Sequence, residues 1–372
     1  MTFADGGLAL SRSYFADLVA PTIRQHLPEL RYAAARLGFG SEVLGLDDEM
    51  SRDHDWGLRL QLFVPDAHVT DLLSMLDEHL PGQFRGHPVR FGFSGDPAVR
   101  LRIDVETVDS FLAERLGFDP RRGATATDWL SLTGQAVLEI IAGEVFRDDM
   151  GELTELREAL SWYPQDVWRY VIACDWQRID QELPLMQRAG DRGDDLGSRV
   201  IAARLVDTTM HLGFLLCRRW APYPKWRGTL FTRLPLPSEV APALSRTLTA
   251  TSWQERAASL ATALDALADH QGQHGIPTAW PACVPYYDRP YCHVDDTMVP
   301  RLLDSIRDTA VRALTPGLGS IEQRSDNVDL LTSATLRRAA LTQPLRATDP
   351  DFGMPCGCGT PACREVVRAF DP

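Results

Sequence analysis

The chain contains 372 residues, of which 44% are hydrophobic, and it carries a formal net charge of −13. A chain of this length and composition can bury a sizeable core, and we expect it to form two domains. Nucleic-acid binding gains most of its non-specific affinity from lysine and arginine contacts with phosphates. The acidic balance therefore argues against duplex DNA or long RNA as a partner, and leaves a small ligand or a tRNA end compatible with the sequence.

The sequence carries no signal for a membrane segment or for export. No apolar run approaches the about 20 residues that a membrane-spanning helix needs. Residues 1–7 lack a basic stretch followed by an apolar one. Seven scattered cysteines, an odd number, do not form the pattern of a disulfide framework. We expect a cytoplasmic protein without a membrane partner.

The first third of the chain alternates between helical and strand patterns. Apolar spacing predicts a helix over residues 14–25 with Ser13 as its N-cap, and a second helix over residues 69–79. Strands are predicted over residues 31–38, 58–64, 89–93 and 99–106, with the last two paired through the turn Gly95-Asp96-Pro97. A mixed sheet with helices against one face fits this order, so the fold class is α+β.

From about residue 124 the pattern changes to long helices, which predicts an all-α helical bundle. Helices are expected over residues 129–141, 167–183, 196–220, 239–249, 253–270 and 299–314. We therefore divide the chain into a catalytic domain (residues 1–122), a bundle domain that binds an acceptor (residues 123–335) and a tail (residues 336–372).

The most informative motif is Gly40-Ser41 followed, after eleven residues, by Asp53-His54-Asp55. In an extended segment, residues two apart point to the same side, so both carboxylates would aim at one point. Hard cations such as Mg²⁺ prefer oxygen ligands that they share with substrate phosphates. Gly40 lets the backbone approach a ligand closely, and the Ser41 hydroxyl can bind a phosphate oxygen. The alternative interpretation is a pair of solvated acids on an exposed strand.

A third carboxylate is expected from the strand over residues 99–106. Asp104 and Glu106 alternate there with apolar residues, so they share one face. We prefer Asp104 as the third ligand of a two-metal site and keep Glu106 as its substitute. A solvated strand edge is the alternative for both, and is the better interpretation for Glu106.

Gly40-Ser41, Asp53-x-Asp55 and Asp104 together resemble the nucleotidyltransferase superfamily that includes DNA polymerase beta and the aminoglycoside nucleotidyltransferases. The full sequence of residues 40–57 is similar to a bacterial branch of this superfamily that has a helical C-terminal domain of unknown function. Residues 223–228, 231–235 and 319–323 also match that branch. The resemblance spans roughly residues 10–335. It implies a nucleotidyltransferase-type fold, two Mg²⁺ ions held by Asp53, Asp55 and Asp104, and an NTP donor, with ATP preferred. Gly40, Ser41 and Arg52 would contact the phosphates.

Polar residues of the bundle domain can complete such a site. Lys225, between Pro224 and Trp226, is a candidate phosphate or acceptor contact, or alternatively a snorkelling surface lysine. The remaining candidates are Arg233 and Arg289, with surface ion pairs as the alternative, Asp194 and Asp195, with helix capping as the alternative, and Gln323, which would contact a base or ribose although turn chemistry alone also explains it. Asp194 and Asp195 would supply a general base, although helix capping is the better interpretation.

Two further patterns concern other chemistry. Arg204 and His211 have the spacing of a ribonuclease motif found in helical bundles, although a satisfied, half-buried histidine is the better interpretation. Cys356, Cys358 and Cys363 resemble a zinc knuckle that follows methyltransferase domains. A Zn²⁺ ion there needs a fourth ligand, for which the candidates are Cys283, Cys292 and His293. A redox-sensitive tail is the alternative.

The sequence thus predicts a metal-dependent nucleotidyltransferase that moves an NMP group from an NTP to a hydroxyl or phosphate of a small molecule or a tRNA end. The second hypothesis is a regulatory module that binds a nucleotide without turnover. The third is a bundle ribonuclease that acts through Arg204 and His211.

Overall fold

The computed structural model describes residues 6–52, 56–94 and 96–342. It has the predicted α+β class, with a mixed sheet followed by a helical bundle. The N-terminal part contains, in chain order, α1 (Gly7–Tyr14), α2 (Ala20–His26), β1 (Ala33–Arg36), β2 (Leu60–Phe63), α3 (Val69–His79), β3 (Gln83–Phe84), β4 (His87–Pro88), β5 (Arg90–Phe93), β6 (Asp96–Leu101), β7 (Ile103–Glu106), α4 (Val108–Arg115), α5 (Ala126–Leu130), α6 (Gly134–Ile141) and β8 (Glu144–Asp148).

The remaining described residues are mostly helical. They form α7 (Glu152–Ala159), α8 (Gln165–Asp191), α9 (Asp195–Leu216), α10 (Pro224–Phe231), α11 (Val240–Thr249), α12 (Trp253–Gln273), β9 (Cys283–Pro285), β10 (Cys292–Val294), α13 (Met298–Asp304), α14 (Thr309–Arg312), α15 (Ile321–Arg324), α16 (Val328–Thr332) and α17 (Ala334–Thr342). Among all the residues that the structure describes, no helix is both long and apolar enough to cross a membrane.

The main sheet has four strands in the order β7, β2, β1, β8. β2 pairs in parallel with β7, whereas β1 is antiparallel to both β2 and β8. β8 comes from beyond the predicted boundary at residue 122, so the sheet takes chain from both sides of that boundary. The domain division itself stays a prediction.

Both faces of the sheet are covered, which corrects the expectation of helices on one face only. Alternate residues of β1 and β2 belong to two different cores. Ala34, Leu60 and Leu62 pack with the helices α1 to α3, while Ala33 and Phe63 pack with the core that continues into the bundle. A strand buried on both faces reads as an apolar run, as the three alanines that begin β1 do before the buried Arg36.

The predicted strand over residues 99–106 is in fact two strands in two sheets. β6 pairs with β5 as an antiparallel hairpin, and β7 pairs with β2 in the main sheet. The break falls at Arg102, which is 4% exposed. Its guanidinium donates to the carbonyls of Phe91 and Asp96, each at 2.7 Å. Asp104 therefore belongs to the main sheet and not to the hairpin.

Other differences concern helix ends. The predicted N-cap Ser13 lies inside α1, which continues into α2 through the single π-helical turn Phe15–Val19. The predicted helices over residues 129–141 and 299–314 are each broken into two. The helix over residues 69–79 is confirmed with the predicted bounds. Residues 336–342, assigned to the tail, lie in α17, which packs on α4 and α5.

Candidate functional site

Asp104 lies on the face of the sheet that looks toward the bundle. In the parallel register of β2 and β7, Gln61 is opposite Asp104 and Phe63 is opposite Glu106. Phe63 belongs to the core shared with the bundle, so residues at alternate positions, Asp104 included, point to that side. β2 is also the strand that follows Asp53 and Asp55 in the chain. The strand that carries Asp104 is therefore its direct neighbour.

Gln61 holds Asp104 in place. Its side chain is 2% exposed. The amide Nε2 donates to Asp104 Oδ2 at 3.2 Å, and its Oε1 accepts from the backbone N–H of Leu37 at 2.8 Å. Oδ1 of Asp104 has no hydrogen-bond partner within the described ranges, and the side chain is exposed. One oriented, accessible carboxylate oxygen suits a hard cation such as Mg²⁺.

Glu106 lies two residues after Asp104 on the same face of β7 and is partly buried. Burial, reinforced by the negative charge of Asp104, raises the pKa of Glu106 to about 7, although the Ser110 hydroxyl opposes the rise. Ser110 Oγ donates to Glu106 Oε2 at 3.2 Å. A partly buried carboxyl with a raised pKa is a weaker ligand for a cation than an exposed one, so Asp104 is the better candidate.

The loop after β1 is shaped by a buried ion pair that the sequence analysis did not foresee. Arg36 is fully buried, and its Nε donates to Glu42 Oε1 at 3.1 Å. Gly40 has φ +142°, a conformation that L side chains rarely adopt, and a Cβ there would overlap the Glu42 carboxylate. The glycine therefore makes room for a carboxylate of the chain itself, which is a different reason from the close ligand approach that we expected.

Ser41 begins the short 3₁₀ helix Ser41–Leu44, and Ser51 lies next to it. The Ser41 hydroxyl donates to Ser51 Oγ at 3.2 Å, and Ser51 Oγ in turn interacts with the carboxylate of Asp48. The 3₁₀ helix Met50–Arg52 then leads toward the acid pair. Asp53, His54 and Asp55 lie outside the described residues, and so do Cys356, Cys358 and Cys363. The predicted Mg²⁺ and Zn²⁺ ligand sets therefore stay predictions.

Helix α6 connects the sheet to the bundle. The backbone N–H of Gly38 donates to the Glu139 carbonyl at 2.7 Å, and the Glu139 carboxylate pairs with Arg115 at 3.0 Å. One turn earlier, Gln135 Nε2 donates to Glu139 Oε1 at 3.2 Å, while its Oε1 accepts from the Tyr223 N–H at 3.3 Å. The start of α10 is thus docked on the helix that contacts the Gly40 loop.

Lys225 lies at this docked end of α10. Its side chain is exposed, and its Nζ is 4.8 Å from the centre of the Trp226 ring. An accessible cation at the start of a helix is compatible with a phosphate contact and equally with a surface lysine, so its role stays a prediction.

The other bundle candidates have structural partners or lie on the surface. Asp194 caps α9 by accepting from the Gly197 N–H at 2.8 Å. Asp195 accepts from Arg256 at 2.8 Å and from Arg199 at 2.6 Å. Asp194 therefore has the capping role that we preferred, whereas Asp195, for which we also preferred capping, pairs with two arginines instead. Arg233 is exposed. The guanidinium carbon of Arg289 lies 5.9 Å from the centre of the Tyr286 ring.

Arg204 and His211 do not form a common site. Arg204 is on the bundle surface, where its Nε donates to Glu182 at 3.0 Å. His211 is 8% exposed and pairs with Asp175. Gln323 belongs to the capping box of α15, and its Nε2 also donates to Asp175 at 2.7 Å. The ribonuclease hypothesis therefore gains no support from the arrangement.

No group of three or more His, Cys, Asp or Glu side chains converges as a metal site within the described ranges. Two cavities occur in the bundle, one of about 700 Å³ beside Asp166 and Arg307 and one of about 270 Å³ beside Asp180 and Asp296. Neither is lined by Asp104 or Lys225. The candidate site on the sheet is therefore separate from these two cavities.

Residues 129–227 match a family described as "Domain of unknown function (DUF4037)". No curated protein sequence matches the chain. Among solved structures, the chain is similar to a nucleotidyltransferase-like protein from Exiguobacterium sibiricum 255-15. The identity is 11%, the TM-score is 0.34, and the match covers 73% of this chain and 79% of that chain. At these values the neighbour is distant.

Proposed function

We propose that the protein is a metal-dependent nucleotidyltransferase that moves an NMP group from an NTP, preferably ATP, to a hydroxyl or phosphate of a small molecule or a tRNA end. The observation that carries this proposal is the parallel pairing of β2 with β7. It brings Asp104 onto the strand beside the one that Asp53-x-Asp55 precedes, on the side that looks toward the bundle.

Asp53, Asp55 and Asp104 are the residues that would hold Mg²⁺. When bound, the ions would neutralise charge on the reacting phosphates. Gln61 fixes the direction of the Asp104 carboxylate, so this ligand loses little freedom when a metal binds. Ser41 and Arg52 are assigned to the β- and γ-phosphates, and Lys225 to the phosphates or the acceptor. Positioning and charge neutralisation account for most of the catalysis in this class of reaction.

The proposal is tested by calorimetric titration of each NTP with Mg²⁺ into the full-length protein and into the Asp53→Ala/Asp55→Ala variant. We expect metal-dependent binding of one NTP that the double substitution abolishes. Asp109→Ala, which removes an exposed acid of α4, is the matched control and should bind like the unmodified protein. Binding that persists in the double variant would refute the assignment.

A nucleotide-binding regulatory module is the second candidate. The raised pKa of Glu106 favours it in one respect, because a half-buried carboxyl with a pKa of about 7 is a poor substitute metal ligand beside Asp104. NTP binding without any metal-dependent product would support this alternative.

A further inference from the structure

The larger cavity of the bundle, beside Asp166 and Arg307, is lined by residues from the region of α5, the start of α8 and α14. Its volume is about 700 Å³. Cavities that bind small molecules usually measure about 300–1,000 Å³, so this one has room for a ligand. Neither Asp104 nor Lys225 lines it, and the proposed nucleotidyl transfer gives it no role.

Part of the cavity lining is apolar. The side chains of Trp129, Val167 and Val311 contribute to it and are 6%, 3% and 4% exposed, respectively. All three belong to the core shared by the sheet and the bundle, so their positions are fixed by packing before any ligand enters. An indole ring in such a lining pairs favourably with an aromatic ring in an offset or edge-to-face arrangement.

Two arginines of the lining keep N–H groups that have no acceptor. Arg307 is exposed, and within the described part of the chain its guanidinium has no partner. Arg169 uses Nη1 to donate to Asp166 at 3.1 Å and to the Ser305 carbonyl at 2.9 Å. Its Nη2 and its buried Nε find no acceptor among the described residues. A ligand that pairs with these arginines must therefore supply acceptor oxygens.

The two carboxylates of the lining are already engaged by the backbone. Asp166 Oδ2 accepts from the N–H groups of Arg307 and Asp308 at 2.8 and 2.7 Å. Burial opposes the ionisation of Asp166, but these two N–H groups and the charge of Arg169 outweigh it and lower the pKa of the carboxyl. Asp308 caps α14 with Oδ1, which accepts from two N–H groups of that helix at 2.8 and 3.0 Å. Both acids thus serve the fold, while the free cationic N–H groups belong to the arginines.

We propose that this cavity binds a small aromatic acid, whose ring packs against Trp129 and whose carboxylate accepts from Arg307 and Arg169. The four charged side chains of the lining, two acids and two arginines, sum to zero, so a single negative charge is better matched than a phosphate dianion. A cationic ligand would find both acids already hydrogen-bonded. The site goes beyond the proposed nucleotidyl transfer and does not depend on it.

Isothermal titration calorimetry of the full-length protein with 2-naphthoate tests the proposal, and 2-naphthylmethylamine serves as the cationic compound of similar shape. We expect 2-naphthoate to bind at one site with a dissociation constant in about the millimolar range or tighter. The amine should bind at least about tenfold more weakly, because it offers the arginines a charge of the wrong sign.

Two substitutions locate the ligand. Arg307→Gln removes the charge and should weaken 2-naphthoate binding about tenfold. Ala310→Trp places a large ring on an exposed residue of the lining and should abolish binding. The control is Arg312→Gln, an exposed arginine that does not line the cavity, and it should bind like the unmodified protein. Thermal unfolding shows whether each variant is folded.

The proposal fails if the unmodified protein does not bind 2-naphthoate, or if the amine binds equally well. Binding that persists in a folded Ala310→Trp variant would place the ligand elsewhere and also refute it. If Ala310→Trp does not fold, Arg307→Gln decides, since an affinity equal to that of Arg312→Gln would show that the carboxylate does not contact Arg307.

Discussion

At the scale of single residues, the environment of each carboxylate decides what it can do. Asp104 is exposed and oriented by Gln61, whereas Glu106, two residues on, is partly buried and has a pKa of about 7. Glu42 is buried between Arg36 and Arg59, with its nearest oxygen 3.9 Å from Arg59 Nη1. The three acids therefore have three different environments, and of the three only Asp104 is exposed.

Glu106 gives a prediction about pH and stability in metal-free protein. Its pKa is about 7 in the folded state against an ordinary value of 4.5, so the folded state keeps a proton that the unfolded state releases. The proton on Glu106 therefore adds at most about 3 kcal/mol to the free energy of unfolding. This stabilisation is complete below pH 4.5 and is lost as the pH rises through about 7. Glu106→Gln cannot ionise and should remove this part of the pH dependence. Urea unfolding in a chelating buffer across this range measures it.

The control for that experiment is Glu78→Gln, which changes an exposed glutamate of α3 and should leave the pH profile as it is. A Glu106→Gln variant with the same fall in stability between these pH values would show that another group is responsible.

At the scale of elements, the last described helix, α17, packs against α4 of the N-terminal part and against α5, α15 and α16. Arg337 of α17 is 1% exposed, and its guanidinium donates to the carbonyls of Arg115 and Leu331 at 2.6 Å and of Ser131 at 3.0 Å. These carbonyls belong to the end of α4, the end of α16 and the segment after α5. One side chain therefore donates to three carbonyl groups.

Arg337→Met should destabilise the protein by roughly 2–4 kcal/mol, because it fills a similar volume and leaves the three carbonyls without a donor. The measurement is the urea midpoint at constant slope. Arg312→Met, on the exposed side of α14, is the control and should change the free energy of unfolding by less than about 0.5 kcal/mol. If the two substitutions lowered the free energy of unfolding equally, the three hydrogen bonds of Arg337 would not stabilise the fold.

Local patterns predicted most helices and the hairpin of β5 and β6, but not the order of the strands in the main sheet. The apolar spacing of residues 69–79 was sufficient because a helix is closed by its own hydrogen bonds. The run over residues 99–106 looked like one strand, since nothing local shows that Arg102 is buried against the β5 and β6 backbone. β8 was missed because its five residues, Glu144–Asp148, are partly buried and mix charged with apolar side chains.

For the polar residues too, local patterns were informative and contacts between distant residues were missed. Asp104 was chosen from alternation within its strand, which is a local signal. The contact between Asp175 and His211 was missed, because it joins residues that are 36 positions apart in sequence. The available signal was Asp175 itself, an acid within the apolar stretch over residues 170–176 of α8. A charge there needs a buried partner.

At the scale of the whole molecule, the sheet is enclosed by helices on both faces, and its bundle-facing side carries Asp104 and Glu106. α6 leaves the bundle core, contacts the Gly40 loop and continues into β8 of the same sheet. A ligand between the sheet and the bundle would therefore meet residues from both parts of the chain. The net charge of −13 makes bound divalent cations important for any phosphate-bearing ligand.

The central claim is that Asp104 holds a metal ion together with a nucleotide. Electron paramagnetic resonance of Mn²⁺, in the presence of a non-hydrolysable ATP analogue, measures this directly in Asp104→Asn and in the control Asp109→Asn. The asparagine amide can still accept the Gln61 hydrogen bond, so the fold should persist. The account predicts that Asp104→Asn weakens Mn²⁺ binding by about tenfold to a hundredfold while Asp109→Asn does not. Equal Mn²⁺ affinity in both variants would contradict it.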